Sequence, residues 1–178
     1  QNCICEDPTE RFLIIIIFFL FYQSFNEMIH IEHFPDACFN LGSIFYTDKL
    51  TLRDINKSIH YFTLAANQNH SEAQYNLGVI YYEGEYVKRD INKSIHYYSL
   101  AANKNDGKAQ YVLGIIYHGG KYVERDINKS IHYFTLASNQ NILEAQFYLG
   151  IIYYKGEYIE RDINKSIHYL TLAANQNH

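Results

Sequence analysis

Four histidines, His60, His96, His132 and His168, recur at a spacing of 36 residues. Histidine is the commonest metal ligand and the side chain that titrates nearest neutrality. Ligands sharing one zinc ion must each lie about 2 Å from it. Packed helices stand about 10 Å apart, so one column of a helical repeat cannot gather on a single metal. These histidines are read as structural, satisfied or exposed, with no metal and no cofactor. Cys3-x-Cys5 has no matching His or Cys pair downstream, and three cysteines, none repeating, make no disulfide framework. Thiols in a reducing compartment are the expectation.

Other repeated residues invite similar tests. Arg53, Arg89, Arg125 and Arg161 precede an aspartate in every unit. Each is expected to pair with a loop carboxylate, bond loop carbonyls, or lie against a residue such as Tyr86; a row binding phosphate is the sharper alternative. Asn56, Asn92, Asn128 and Asn164 begin Asn-Lys-Ser triplets of the glycosylation type, and Asn69-His70-Ser71 is a fifth, but in the four copies the hydroxyl belongs to a repeated small-residue position. Gly119-Gly120 lacks the following Lys-Ser/Thr of a phosphate loop. No singular Ser, Cys, His or acid breaks the pattern as a catalytic set would. The chain reads as a non-enzyme.

Composition narrows the classes further. Hydrophobic residues make up 48% of the 178, and 15 Lys+Arg face 19 Asp+Glu, a formal charge of -4. A mildly acidic chain lacks the basic surface that drives nucleic-acid binding. Phe12 to Tyr22 reads FLIIIIFFLFY. A membrane span takes about 17–25 residues, so this run is short for one. A cap over the first repeat is the favoured expectation, with a membrane or signal element as the alternative. The cytoplasm is the expected compartment, and any membrane association is expected only through Phe12–Tyr22.

The repeat must position everything else. Ala37, Ala73, Ala109 and Ala145 are 36 apart, as are Gly42, Gly78, Gly114 and Gly150, and the string RDINKSIHY occurs four times. A first helix is expected to start near Asn69 or Asn141, with Glu72 or Glu144 completing a capping box. It ends at Gly84, Gly120 or Gly156, with Asp48 taking that place in the first unit. A second helix opens on Asp54, Asp90, Asp126 or Asp162 as N-cap. Neither exceeds about 13 residues, so neither is stable alone and each must pack on its neighbours. Gly78 is expected where two helices cross closely, with Tyr81 and Tyr98 as neighbours. The fold class is all-α, a right-handed α/α solenoid of two-helix repeats. Residues 1–34 form a divergent hydrophobic segment, a cap or degenerate repeat. Residues 35–178 hold four units at 37–72, 73–108, 109–144 and 145–178.

Ala73, Leu77, Gly78, Tyr81 and Gly84, then Val87, Asp90, Lys93, Tyr97 and Ala101-Ala102, carry a pattern that resembles the Sel-one-like repeat (SLR) family, a relative of the tetratricopeptide repeat. The chain departs from that pattern at Tyr86, Tyr122 and Tyr158, where the family has glycine. It also has Ser58, Ser94, Ser130 and Ser166 for alanine, and the histidine column for tryptophan. The tyrosines are expected to reshape the loop. The resemblance implies an adaptor of the kind that assembles quality-control complexes, regulates cell-wall synthesis or acts in signalling. Branches that are secreted and disulfide-linked do not fit, since their cysteines are missing.

That resemblance implies a protein or peptide partner bound on a concave wall of first helices. Two columns are candidates. Phe39, Tyr75, Tyr111 and Phe147 either line the wall or belong to the inter-helix core. Tyr46, Tyr82, His118 and Tyr154 lie about two turns onward and vary more, which favours them for contact. The alternative function is a non-catalytic regulatory region of a larger signalling enzyme such as a protein kinase.

Overall fold

The computed structural model describes residues 33–47 and 54–176. Eight helices occupy these residues: α1 Pro35–Thr47, α2 Ile55–Asn67, α3 Ser71–Glu83, α4 Ile91–Asn103, α5 Gly107–Gly119, α6 Ile127–Ser138, α7 Leu143–Lys155 and α8 Ile163–Asn175. Consecutive helices pair as hairpins, and each hairpin packs on the next. The result is an all-α solenoid, with no strand among the described residues. Cys3, Cys5, Phe12–Tyr22, Asp48 and Arg53 lie outside them.

Helix boundaries follow from capping chemistry. The carboxylates of Asp54, Asp90, Asp126 and Asp162 accept from the amides of Lys57, Lys93, Lys129 and Lys165, satisfying an orphan donor at each second helix. Gly84, Gly120 and Gly156 close the first helices at φ 63°, where a Cβ would be strained.

The starts of the first helices differ from the expected capping boxes. Asn69, Asn105 and Asn141 take positive φ, which asparagine tolerates in a tight turn. The N-cap therefore falls one residue later and Glu72 and Glu144 lose the box register. His70 caps α3, its Nδ1 accepting from the Ala73 amide at 3.2 Å; Asp106 caps α5; Ile142 offers α7 no side-chain bond.

Each hairpin closes over a glycine. A Cβ on Gly78 would meet the Tyr98 ring at 2.6 Å, and one on Gly114 the Phe134 ring at 2.5 Å. Tyr98 therefore covers Gly78, while Tyr81 stacks instead on Tyr97 with centroids 5.9 Å apart. Seven residues separate Ser94 from Ala101, and both are buried. Ser94 Oγ donates to the Gly78 carbonyl at 2.8 Å; Ser58 and Ser130 do the same to Gly42 and Gly114. The serine that departs from the family pattern thus braces the crossing, and the hydroxyl of each repeated Asn-Lys-Ser triplet sits in the core.

Between hairpins, the ring beneath one glycine packs on the next unit's first helix. Phe62 clusters with Ala73, Leu77 and Ile80, Tyr98 with Ala109, Leu113 and Ile116, and Phe134 with Ala145, Leu149 and Ile152. Burying each leucine contributes about 1.5–3 kcal/mol. Polar braces cross the same junctions. Gln74, Gln110 and Gln146 donate back to the carbonyls of Ala66, Ala102 and Ser138, the last turn of the preceding helix.

Candidate functional site

The first helices hold both candidate columns, at positions beside the buried Ala-Leu-Gly stripe. Phe39 is half-buried and stacks on His70 at 4.5 Å. Tyr75 is half-buried, 5.6 Å from Tyr98, and burial, followed by Asp106 and Glu83, raises its phenol above the ordinary range. Tyr111 lies 6.0 Å from Phe134 and 6.2 Å from Tyr148, and burial raises its phenol too. Phe147 is exposed. The first three rings therefore rest partly on the inter-helix core while keeping an outer edge in water.

Two members of the second column, Tyr82 and His118, meet the following unit. Tyr82 is edge-on to Tyr122 at 5.8 Å, and His118 is edge-on to Tyr148 at 6.1 Å. Tyr46 lies 6.4 Å from Phe62. Tyr154 is exposed, with the Arg161 guanidinium 5.1 Å from its ring centroid. Burial, then the cations Arg125 and Lys155, lower the His118 imidazole below the usual histidine range.

Tyr148 belongs with these residues and was not singled out from the sequence. It stacks on Phe134 at 5.2 Å and joins Tyr111 to His118 across the α5–α7 junction. Its equivalents are Asn40, Asn76 and Val112, so the signal was the variability of that position inside a regular frame. A charged rim varies alongside it: Glu72, Lys108 and Glu144 are exposed at one further position of the same helices.

The arginine column has a structural function. Arg89 Nη2 donates to the Glu83 carbonyl at 2.9 Å and Arg125 Nε to the His118 carbonyl at 2.9 Å, tying loop to helix end. The ring each arginine covers belongs to the next unit, Tyr122 for Arg89 and Tyr158 for Arg125, rather than to Tyr86 in the same loop. Both tyrosines also accept a hydrogen bond from the same guanidinium. Tyr122 and Tyr158, two of the tyrosines that replace glycine in the loops, are therefore inter-unit contacts.

The histidine column is exposed, each imidazole edge-on to the tyrosine that follows it, as His96 is to Tyr97 at 5.3 Å. Among the described residues no group of three His, Cys, Asp or Glu could hold a metal ion, and no helix is long and apolar enough to cross a membrane.

Paired helices, a glycine crossing and end-to-end stacking define an α/α-repeat protein. The Sel1 repeat profile matches residues 35–70, 71–106, 107–142 and 143–178, and the chain belongs to the Sel1 repeat family. It is similar to a protective antigen present in uropathogenic Escherichia coli strains displaying an SLR fold, with 31% identity and a TM-score of 0.75 over 81% of this chain and 31% of that one. It is also similar to a Sel1 repeat protein from Oxalobacter formigenes, with 32% identity and a TM-score of 0.72 over 81% of this chain and 59% of that one. The chain thus spans less than two thirds of either relative. Cysteine rich protein B of Helicobacter pylori, 23% identical with a TM-score of 0.54 over 73% of this chain and 93% of that one, shares the fold. No curated protein sequence matches significantly. Repeats of this family form a non-catalytic scaffold and serve generally as protein–protein interaction modules.

Proposed function

We propose that this array is an adaptor whose first-helix side binds an extended or helical peptide segment of a protein partner. The observation that carries this reading is the contrast between frame and wall. Alanine, leucine and glycine repeat at the buried positions of α3, α5 and α7, while the partly exposed positions beside them change from unit to unit. Tyr82, His118 and Tyr154 share one position, and Asn76, Val112 and Tyr148 another. A constant frame with a changing wall presents one distinct surface. Direct contact between α5 and α7 through Tyr148 supports first helices on the inner side of the curve.

Aromatic edges flanked by Glu72, Lys108 and Glu144 suit a segment carrying apolar anchors and charges of both signs. A Tyr side chain supplies large contact area and a hydrogen-bonding tip. The test is calorimetric titration of a display-selected peptide into the parent and into Tyr82→Ala, Tyr154→Ala and His96→Ala, each checked for folding. Losing a central tyrosine is expected to cost about 2 kcal/mol of binding, with His96→Ala close to the parent. Parent-like affinity in both tyrosine variants would remove this wall as the site.

A further inference from the structure

One place on the first-helix wall breaks the repeat instead of following it. Tyr75, Val79 and Tyr82 of α3 pack against Tyr98 of α4, and Glu83 follows them at the end of α3. The Tyr75 and Tyr98 ring centroids are 5.6 Å apart, and Tyr82 stands edge-on to Tyr122 at 5.8 Å. The cluster lies inside the array, with described helices on both sides. No other unit combines these side chains. In place of Tyr98, Tyr82 and Glu83 the first unit has Phe62, Tyr46 and Thr47, the third Phe134, His118 and Gly119, and the fourth Leu170, Tyr154 and Lys155.

Phe62 and Phe134 fill the same buried place without a hydroxyl, so packing does not require the one on Tyr98. Among the described residues that hydroxyl makes no hydrogen bond, and it is not sealed in, since Gln74 Oε1 alone is fully enclosed without a partner. Its surroundings mark where it emerges: burial first, then Tyr75, Glu83, Tyr82 and Tyr46, raise the phenol far above the ordinary range. Glu83 also acts on Tyr75, so both phenols meet the same carboxylate. Glu83 is exposed, and Arg89 donates to its backbone carbonyl at 2.9 Å, leaving the carboxylate without an ion pair among the described residues.

We propose that Tyr75, Tyr82, Tyr98 and Glu83 form a subsite for an arginine side chain of the peptide partner. Electron-rich ring faces, phenol oxygens and an unpaired carboxylate together attract a cation. Arginine suits them better than lysine, because a flat guanidinium stacks on a ring while its N–H groups bond in its own plane. One unit on, the sign reverses: after burial, Arg125 and Lys155 disfavour a charged His118, and they disfavour a bound cation for the same reason. The inference rests on the reading of the first-helix side as a peptide site and adds a register to it. The arginine lies over α3, and the segment continues toward α5 and α7 with apolar or acidic side chains.

Amide-resolved NMR titration of the 178-residue chain with N-acetyl-arginine amide tests it, with the neutral isostere N-acetyl-citrulline amide as control. The arginine probe should give saturable shifts centred on Tyr75, Tyr82 and Glu83, and the citrulline probe none. Glu83→Gln changes an exposed side chain, and Tyr98→Phe installs the ring found at Phe62 and Phe134, so both should keep the parent's melting temperature. Glu83→Gln should weaken the arginine response about tenfold and Tyr98→Phe about threefold. Shifts that never saturate, that centre elsewhere, that persist in Glu83→Gln or that citrulline matches overturn the proposal. The wider reading fails separately. A display-selected peptide that protects the wall while the arginine probe leaves Glu83 untouched keeps the adaptor and sinks the subsite; the opposite pair of results keeps the subsite and removes the peptide.

Discussion

The space over Gly78 is filled by the ring of Tyr98: a Cβ on the glycine would lie 2.6 Å from the ring's Cδ1 and 2.7 Å from its Cε1. The ring cannot retreat freely, because it is also buried among Ala109, Leu113 and Ile116 of the next unit. One methyl group at Gly78 therefore strains both the hairpin and the junction after it. Gly78→Ala is expected to destabilise the protein by about 1–3 kcal/mol through overpacking. Gly119 is the matched control, since nothing lies within 4 Å of its Cβ position. Gly119→Ala should be neutral or stabilising, up to about 1 kcal/mol, as helix propensity alone dictates. Urea denaturation of both variants checks the pair, and equal effects would contradict the crossing.

The glutamine braces have one gap. Gln110 Oε1 accepts from Gln140 at 2.7 Å and Gln146 Oε1 from Gln176 at 2.7 Å, but the matching donor position for Gln74 holds Lys104. Gln74 Oε1 is buried without a hydrogen-bond partner. Lys104→Gln restores the amide that the other two units supply, and should raise stability by about 1 kcal/mol. An unchanged or lowered denaturation midpoint would show that the gap is already relieved.

Much of this architecture was legible in the sequence, because residues that recur every 36 positions must do the same job in each unit. Gly78, Asp90 and Gly84 announced a crossing, an N-cap and a C-cap by type and spacing. Asn69 and Asn141 misled, since the Asn-x-x-Glu pattern satisfies a capping box equally well until a left-handed turn claims the asparagine. Pairings between units were hidden, because a linear pattern does not say whether Arg89 meets Tyr86 or Tyr122. At the candidate wall, the aromatic columns were readable but their half-burial was not. Tyr148 was missed because it replaces Asn76 and Val112 rather than repeating.

His118 makes stability depend on pH. Burial, then Arg125 and Lys155, hold its imidazole below the ordinary range, so the folded state disfavours the charged form. The unfolded chain takes up that proton near its usual pKa of about 6.5. Stability from the neutral imidazole is therefore complete above that value and is lost as pH falls through it. His118→Tyr installs the residue found at Tyr46, Tyr82 and Tyr154. The variant's melting temperature should fall less than the parent's between about pH 7.5 and about pH 5.5. Parallel profiles would remove His118 from the account.

The central claim is that the first helices present the partner-binding wall, and differential hydrogen exchange with and without a bound peptide tests it most directly. Half-buried side chains along α3, α5 and α7 predict that amide protection on binding concentrates in those three helices, with α4 and α6 nearly unchanged. Protection centred on α4 and α6, the helices carrying His96 and His132, would contradict the claim and place the partner on the opposite side of the solenoid.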